Sequence, residues 1–163
     1  MTPADPAVTL GGSRYRRGDP VATVPFIVVG ADGSDLSVEA VRWAVDQAKR
    51  LEAEVHVFTA FDIPWTIFVT PTYTDDDYAR DAEVMLEQTM AKALPEGTDV
   101  PVTTTIVQSR PAIVLTSAAR GAELLVVGSH GHGELPGLHL GSVATYCVHH
   151  APCPVVVIRQ RVT

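Results

Sequence analysis

The sequence predicts an α/β fold, an open and mostly parallel five-stranded sheet with helices on both faces, Rossmann-like in plan. Three observations predict it. Short apolar runs alternate in order with helix-length segments that carry an apolar stripe. The runs are continuous rather than alternately polar, as strands buried on both faces of a parallel sheet require. Turn residues, chiefly glycine, proline, serine and aspartate, separate the two kinds of segment.

The first strand lies in PFIVVGADGS, which begins at Pro25 and ends in turn residues. Ser34 or Asp35 can cap the helix that follows. That helix runs to about Leu51, with Val38, Val41, Ala44, Val45, Ala48 and Leu51 on one stripe and Arg42, Asp46, Lys49 and Arg50 mostly facing water. EVHVFTAF, Glu54 to Phe61, is the second strand. The connection DIPWTIFVTPTYTDDDY is longer than most loops in a compact domain and suits a lid or an interface. A second helix from about Thr74 to Leu94 closes at Pro95 and Gly97. Asp75, Asp76 and Asp77 at its start complement the helix dipole. VPVTTTIVQ supplies the third strand, Pro111 opens a helix reaching Arg120, and ELLVVGSH supplies the fourth strand. Gly141 to His150 forms a fourth helix, and PVVVIR from Pro154 forms a fifth strand.

Composition narrows the function. With 163 residues, 46% hydrophobic and 19% charged, the chain suits one domain spanning residues 25–163. Residues 1–24 lack hydrophobic periodicity and read as a flexible leader, with Arg14, Arg16 and Arg17 on a solvated tail. A net charge of −7 with only 12 Lys and Arg argues against nucleic acid as a partner. No apolar run approaches the roughly eighteen residues needed to span a bilayer, and no basic segment precedes a hydrophobic signal core. No membrane association and a cytoplasmic location are therefore expected. Cys147 and Cys153 are expected to be reduced thiols.

Ligands of such sheets bind where strand order reverses, at the carboxyl ends of the strands. The turns after strands one and four, Gly30 to Ser34 and Gly128 to Ser142, are expected to meet there. Gly128 and Gly131 would let phosphates approach the main chain. Gly141 and Ser142 open the fourth helix, whose unpaired N–H groups and positive dipole end attract an anion. Ser142 adds a hydroxyl, while Val143 offers its N–H with its side chain in the core.

Gly128, Gly131 and Gly141-Ser142 spell Gly, two residues, Gly, nine residues, Gly-Ser. This resembles the nucleotide-binding signature of the universal stress protein family, in its ATP-binding subgroup. IVVGADGS, Pro111, LLVVGSHG, LGSVATYCV and APCPVVVIR follow in that family's order, so the resemblance covers about residues 25 to 159. It implies an adenine nucleotide alpha hydrolase-like sheet with strand order 3-2-1-4-5 and a bound ATP with Mg²⁺ between its phosphates. It also implies a role in stress or dormancy adaptation and a homodimer formed through the last strand, Pro154 to Arg159. By position in the family pattern, Asp32 would accept hydrogen bonds from the nucleoside, Ala31 and Gly33 would flank it, and Ala60 would offer backbone to the adenine. Ser129, His130 and His132 complete the expected lining.

Plainer explanations stand beside these. The glycines can serve only to shape a turn, and an Asp before Gly-Ser is ordinarily a turn or cap residue. His130 and His132 bracket a glycine, and His149 and His150 adjoin at a helix end, a spacing unlike a metal site. Ser142 lacks the setting of a nucleophile. No metal ligand and no catalytic residue is therefore assigned.

Phosphoryl transfer ordinarily uses a P-loop lysine, a metal-binding acid and an arginine finger. Here there is no GxxxxGK[ST], and no Lys or Arg falls between Arg120 and Arg159. Retention of ATP with little or no hydrolysis is expected. Two alternatives remain open: a dimeric interaction module with an unused pocket, and a slow ATPase drawing on the Trp65 to Asp77 loop.

Overall fold

The computed structural model describes residues 24–62, 75–131 and 140–160. The leader before Val24, most of the 62–77 connection and His132 lie outside them. Among the described residues five strands alternate with four helices: β1 (Phe26–Gly30), α1 (Asp35–Leu51), β2 (Glu54–Phe61), α2 (Asp75–Ala93), β3 (Val102–Gln108), α3 (Pro111–Ala118), β4 (Leu124–Gly128), α4 (Ser142–His150) and β5 (Val155–Ile158). The strands form one sheet in the order β3-β2-β1-β4-β5. Every neighbouring pair is parallel. Expected and observed elements agree in type and order, with ends shifted by a few residues.

The central strands are apolar because both of their faces are covered. Ile27 and Val29 of β1 point to a layer made by α1 and α2, with Val41, Ala44, Val45 and Leu86. Val28 points the other way, to Leu115 and Ala119 at α3 and Ala144 and Cys147 of α4. Ile27, Val28 and Val29 are fully buried, and each such side chain stabilises the fold by roughly 1.5–3 kcal/mol. The α1 stripe packs as expected from Val38 to Ala48, but Leu51, on the final turn, is 45% exposed. The next residue, Glu52, turns the chain left-handed at φ 51° and ends the helix.

Ser34 is the N-cap of α1, its side chain accepting from the Ser37 N–H. Arg42 is exposed, as expected, and also reaches a neighbouring helix. Its guanidinium donates to the Ala93 carbonyl at 3.3 Å and to the Lys92 carbonyl at 2.6 Å, and it also pairs with Glu39. These carbonyls belong to the last turn of α2, where no intrahelical partner exists, so Arg42 ties α1 to the end of α2.

Candidate nucleotide site

The reversal of strand order falls between β1 and β4, and a cavity of about 330 Å³ opens at their carboxyl ends. That volume is at the lower end of the range found for small-molecule sites. Its lining combines Gly30, Ala31 and Asp32 after β1, Phe58 and Ala60 of β2, and Val127 to Gly131 from β4 onward. Ser37 of α1, Pro111 and Leu115 of α3, and Gly141 to Ala144 at the start of α4 complete it. Phe58, Pro111, Leu115 and Val127 supply the apolar wall. Asp32, Ser129, His130 and Ser142 supply polar side chains.

Sequence reasoning placed Ala31, Asp32, Ala60, Gly128, Ser129, His130, Gly131, Gly141, Ser142 and Val143 together, and all ten line this cavity. Gly33 is not among the lining residues. It adopts φ 83°, and a β-carbon there would stand 2.6 Å from Cγ of Met85. The glycine is needed for the turn and for the close passage of α2. Phe58, Pro111, Leu115 and Val127 were missed as site residues because each reads locally as core or as a helix start.

Several main-chain groups expected to serve a ligand have protein partners. The Ala31 N–H donates to the Phe58 carbonyl at 2.9 Å, and the Ala31 carbonyl accepts from the buried Thr59 hydroxyl at 2.9 Å. The Gly141 N–H donates to the Ser129 carbonyl at 2.7 Å, and the Ser129 N–H donates to the Ile158 carbonyl at 2.7 Å. Ser129 is thus a buried clamp joining β5 to the start of α4. The N-cap position of α4 is Gly141, without a side-chain cap. The N–H groups of its first turn, at lining residues Ser142 to Ala144, have no carbonyl of their own helix to bond.

The glycines have distinct reasons. A β-carbon at Gly128 would lie 3.0 Å from Cβ of Leu36 and 3.2 Å from the His130 carbonyl, so α1 and the chain itself pass close there. At Gly131 the neighbour is the Asp32 carboxylate. Asp32 also accepts, through Oδ1, the Ser34 N–H at 3.0 Å and the Ser34 hydroxyl at 2.6 Å. This turn geometry orients the carboxylate between the two loops. Among the described lining residues there is no Lys or Arg, and His130 is the one imidazole.

Comparison with known proteins fits this arrangement. The family model for the universal stress protein family matches residues 26–159. The chain belongs to the universal stress protein family. Universal stress protein Rv2005c of Mycobacterium tuberculosis is 36% identical over 137 residues, an alignment covering 82% of this chain and 45% of that protein. The chain spans about half the length of the curated family members it matches. UspA from Lactobacillus plantarum superposes with a TM-score of 0.70 at 26% identity, covering 85% of this chain and 99% of that one. A universal stress protein solved in complex with cAMP superposes with a TM-score of 0.61 at 25% identity, covering 84% of this chain and 98% of that one. The family's α/β fold and the strand order expected from the sequence are thereby established.

Away from the cavity, Cys147 is buried and Cys153 is partly buried, and both are free thiols. Burial, with a smaller contribution from neighbouring Cys153, pushes the Cys147 thiol up to about 11. Burial raises Cys153 as well. Among the described residues no group of three or more His, Cys, Asp or Glu is placed to hold a metal, and no helix is long and apolar enough to cross a membrane.

Proposed function

We propose that this chain is an ATP-binding universal stress protein that holds ATP with Mg²⁺ and acts as a nucleotide-dependent regulator or sensor in stress or dormancy adaptation. In this reading residues 25–163 act as one cytoplasmic unit. The observation that carries it is one cavity pairing an apolar wall with an uncapped helix start, at the sheet's reversal point. Adenine suits Phe58, Pro111, Leu115 and Val127, with backbone from Ala60; the ribose hydroxyls suit Asp32, which accepts hydrogen bonds. Phosphate suits the first turn of α4, through the Ser142 hydroxyl and the N–H groups of Ser142 and Val143. His130 and Gly131 line the same cavity, and His132 is proposed to join them. The cAMP complex of a family member 25% identical to this chain supports a nucleotide as the ligand class.

Mg²⁺ would enter with the nucleotide and offset the charge of its phosphates, a role that requires few protein ligands. The lining fits that economy: among the described residues Asp32 is its one carboxylate. Slow or negligible hydrolysis follows from the same lining, which has no Lys or Arg among the described residues to stabilise a moving phosphoryl group.

A second reading is favoured by one observation. Among the described residues β5 is an edge strand that pairs only with β4, and all four of its residues are half-buried. An apolar edge of this kind invites pairing with a second copy, so a homodimer through Pro154 to Arg159 is part of the proposal. Alone, that edge would make the chain an interaction module with an idle pocket.

The test is to denature the purified protein gently and identify released nucleotide by chromatography and mass, beside a Ser142→Glu variant. Glu at a helix start favours the dipole, so the variant keeps its fold while repelling phosphate. Stoichiometric intact ATP from the parent and none from the variant is the expected result. ADP in its place would indicate turnover. No nucleotide, and none taken up from ATP with Mg²⁺, would leave the dimeric module as the function.

A further inference from the structure

Resting on that reading, we infer that His130 makes nucleotide retention proton-dependent: its imidazole is the titratable contact for the phosphates, and the site tightens on them as pH falls. His130 lines the cavity, and its Nδ1 lies 2.9 Å from the Ser129 hydroxyl. Ser129 is 2% exposed and tied through its main chain to Ile158 and Gly141. A ring held at Nδ1 by a fixed, buried hydroxyl keeps Nε2 as the nitrogen for a ligand. With the serine hydroxyl donating to Nδ1, the neutral ring carries its proton on Nε2 and offers phosphate a neutral N–H. On protonation the Nδ1–H donates back to the same hydroxyl, so the ring gains a positive charge without changing its partner. An imidazole is the side chain whose ordinary titration falls between about pH 5 and 8.

The charge matters here because so little else opposes a polyphosphate. The surrounding elements bring few ionisable groups. From the β1–α1 turn comes the Asp32 carboxylate. The first turn of α4 presents Ser142, Val143 and Ala144, none of which titrates. Arg159 follows the end of β5, beside the Ser129–Ile158 bond, but is not among the lining residues. His132, Glu134 and His139 follow in sequence outside the described residues. The linkage has one sign. A cation binds phosphate better than a neutral ring does, so protonation and phosphate binding favour each other and affinity increases as pH falls.

The experiment compares affinities for ATP and for adenosine at pH 6 and pH 8 by calorimetry, with saturating Mg²⁺ so that the terminal phosphate stays ionised. The parent, His130→Gln and His149→Gln proteins are measured in parallel, His149 lying at the far end of α4 and not among the lining residues. Gln keeps a polar partner for Ser129 but cannot gain charge. Parent and His149→Gln are expected to bind ATP roughly tenfold more tightly at pH 6 than at pH 8, a difference of about 1.4 kcal/mol. Adenosine is expected to bind equally at both pH values. His130→Gln is expected to bind ATP with the same affinity at pH 6 and pH 8. An undiminished ratio in His130→Gln, or a flat parent, would overturn the inference while leaving ATP binding standing. Failure of the parent to bind ATP at either pH would instead overturn the nucleotide reading itself.

Discussion

Gly131 and Asp32 meet across the mouth of the cavity: a β-carbon at Gly131 would stand 2.7 Å from Oδ2 of Asp32. One residue follows β1 and the other follows β4, so this approach closes the turns on either side of the sheet's reversal point onto each other. The carboxylate is the movable partner, being the end of a side chain, whereas the main chain at Gly131 is not.

Gly131→Ala is therefore expected to fold normally and to displace the Asp32 carboxylate. Ligand affinity should fall about three- to tenfold, or roughly 0.7–1.4 kcal/mol, the scale of one hydrogen bond. Titration calorimetry checks it. Gly121→Ala is the control, because Gly121, unlike Gly131, has a positive φ of 79° with open space around it, and should lose stability without losing affinity. Unchanged affinity in Gly131→Ala would remove Asp32 from the list of ligand contacts.

Leu115 serves both the packing and the cavity. It is 4% exposed, belongs to the cluster with Val28 and Val127, and lines the site. Leu115→Ala should destabilise the protein by roughly 2–4 kcal/mol in denaturant unfolding, since a buried leucine is lost and a void remains. It should also weaken adenine nucleotides more than it weakens free phosphate, because the apolar wall and not the helix start is damaged.

What the sequence revealed and what it concealed follow from range. β1 and β2 were readable to the residue or nearly so, because an unbroken apolar run bounded by turn residues fixes a buried strand locally. The polar rim of the site was readable because Gly128, Gly131, Gly141 and Ser142 lie in one stretch. Phe58, Pro111 and Leu115 come from other elements and share a wall only after the sheet has formed. Hydrogen-bond ownership was equally hidden: nothing local to Ala31 indicates that Phe58 and Thr59 take its N–H and carbonyl. Nor does anything local to Arg42 indicate that it reaches the end of α2.

Cys147 should resist alkylation in the folded protein at pH 8 and react promptly once unfolded, as intact mass after iodoacetamide treatment would show. Its thiol is raised from 9.0 to about 11 by burial. The folded state thus favours the protonated thiol. That contribution is fully present below pH 9 and is lost as pH rises toward 11, with the folding equilibrium weakening by up to about tenfold per unit between them. Cys147→Ala should flatten this alkaline slope.

The outer edge of β5 permits a test of the dimer that spares the monomer. The carbonyls of Pro154 and Ile158 accept from Leu125 and Ser129, so the main-chain groups of the even-numbered residues point to β4. In a parallel ladder the residues between them point away, which leaves the N–H groups of Val155 and Val157 on the outer edge. Val157→Pro removes one outward donor and none of the bonds to β4, a position where an edge strand tolerates proline. The parent is expected to sediment as a dimer and Val157→Pro as a folded monomer. Val156→Pro, which breaks a bond to β4, should lose the fold. If Val157→Pro remains dimeric, or the parent is monomeric at micromolar concentration, the subunits do not meet through this strand. If the monomer still releases bound nucleotide on denaturation, each chain holds its ligand without help from a second copy, and the edge and the cavity are separate devices on one sheet.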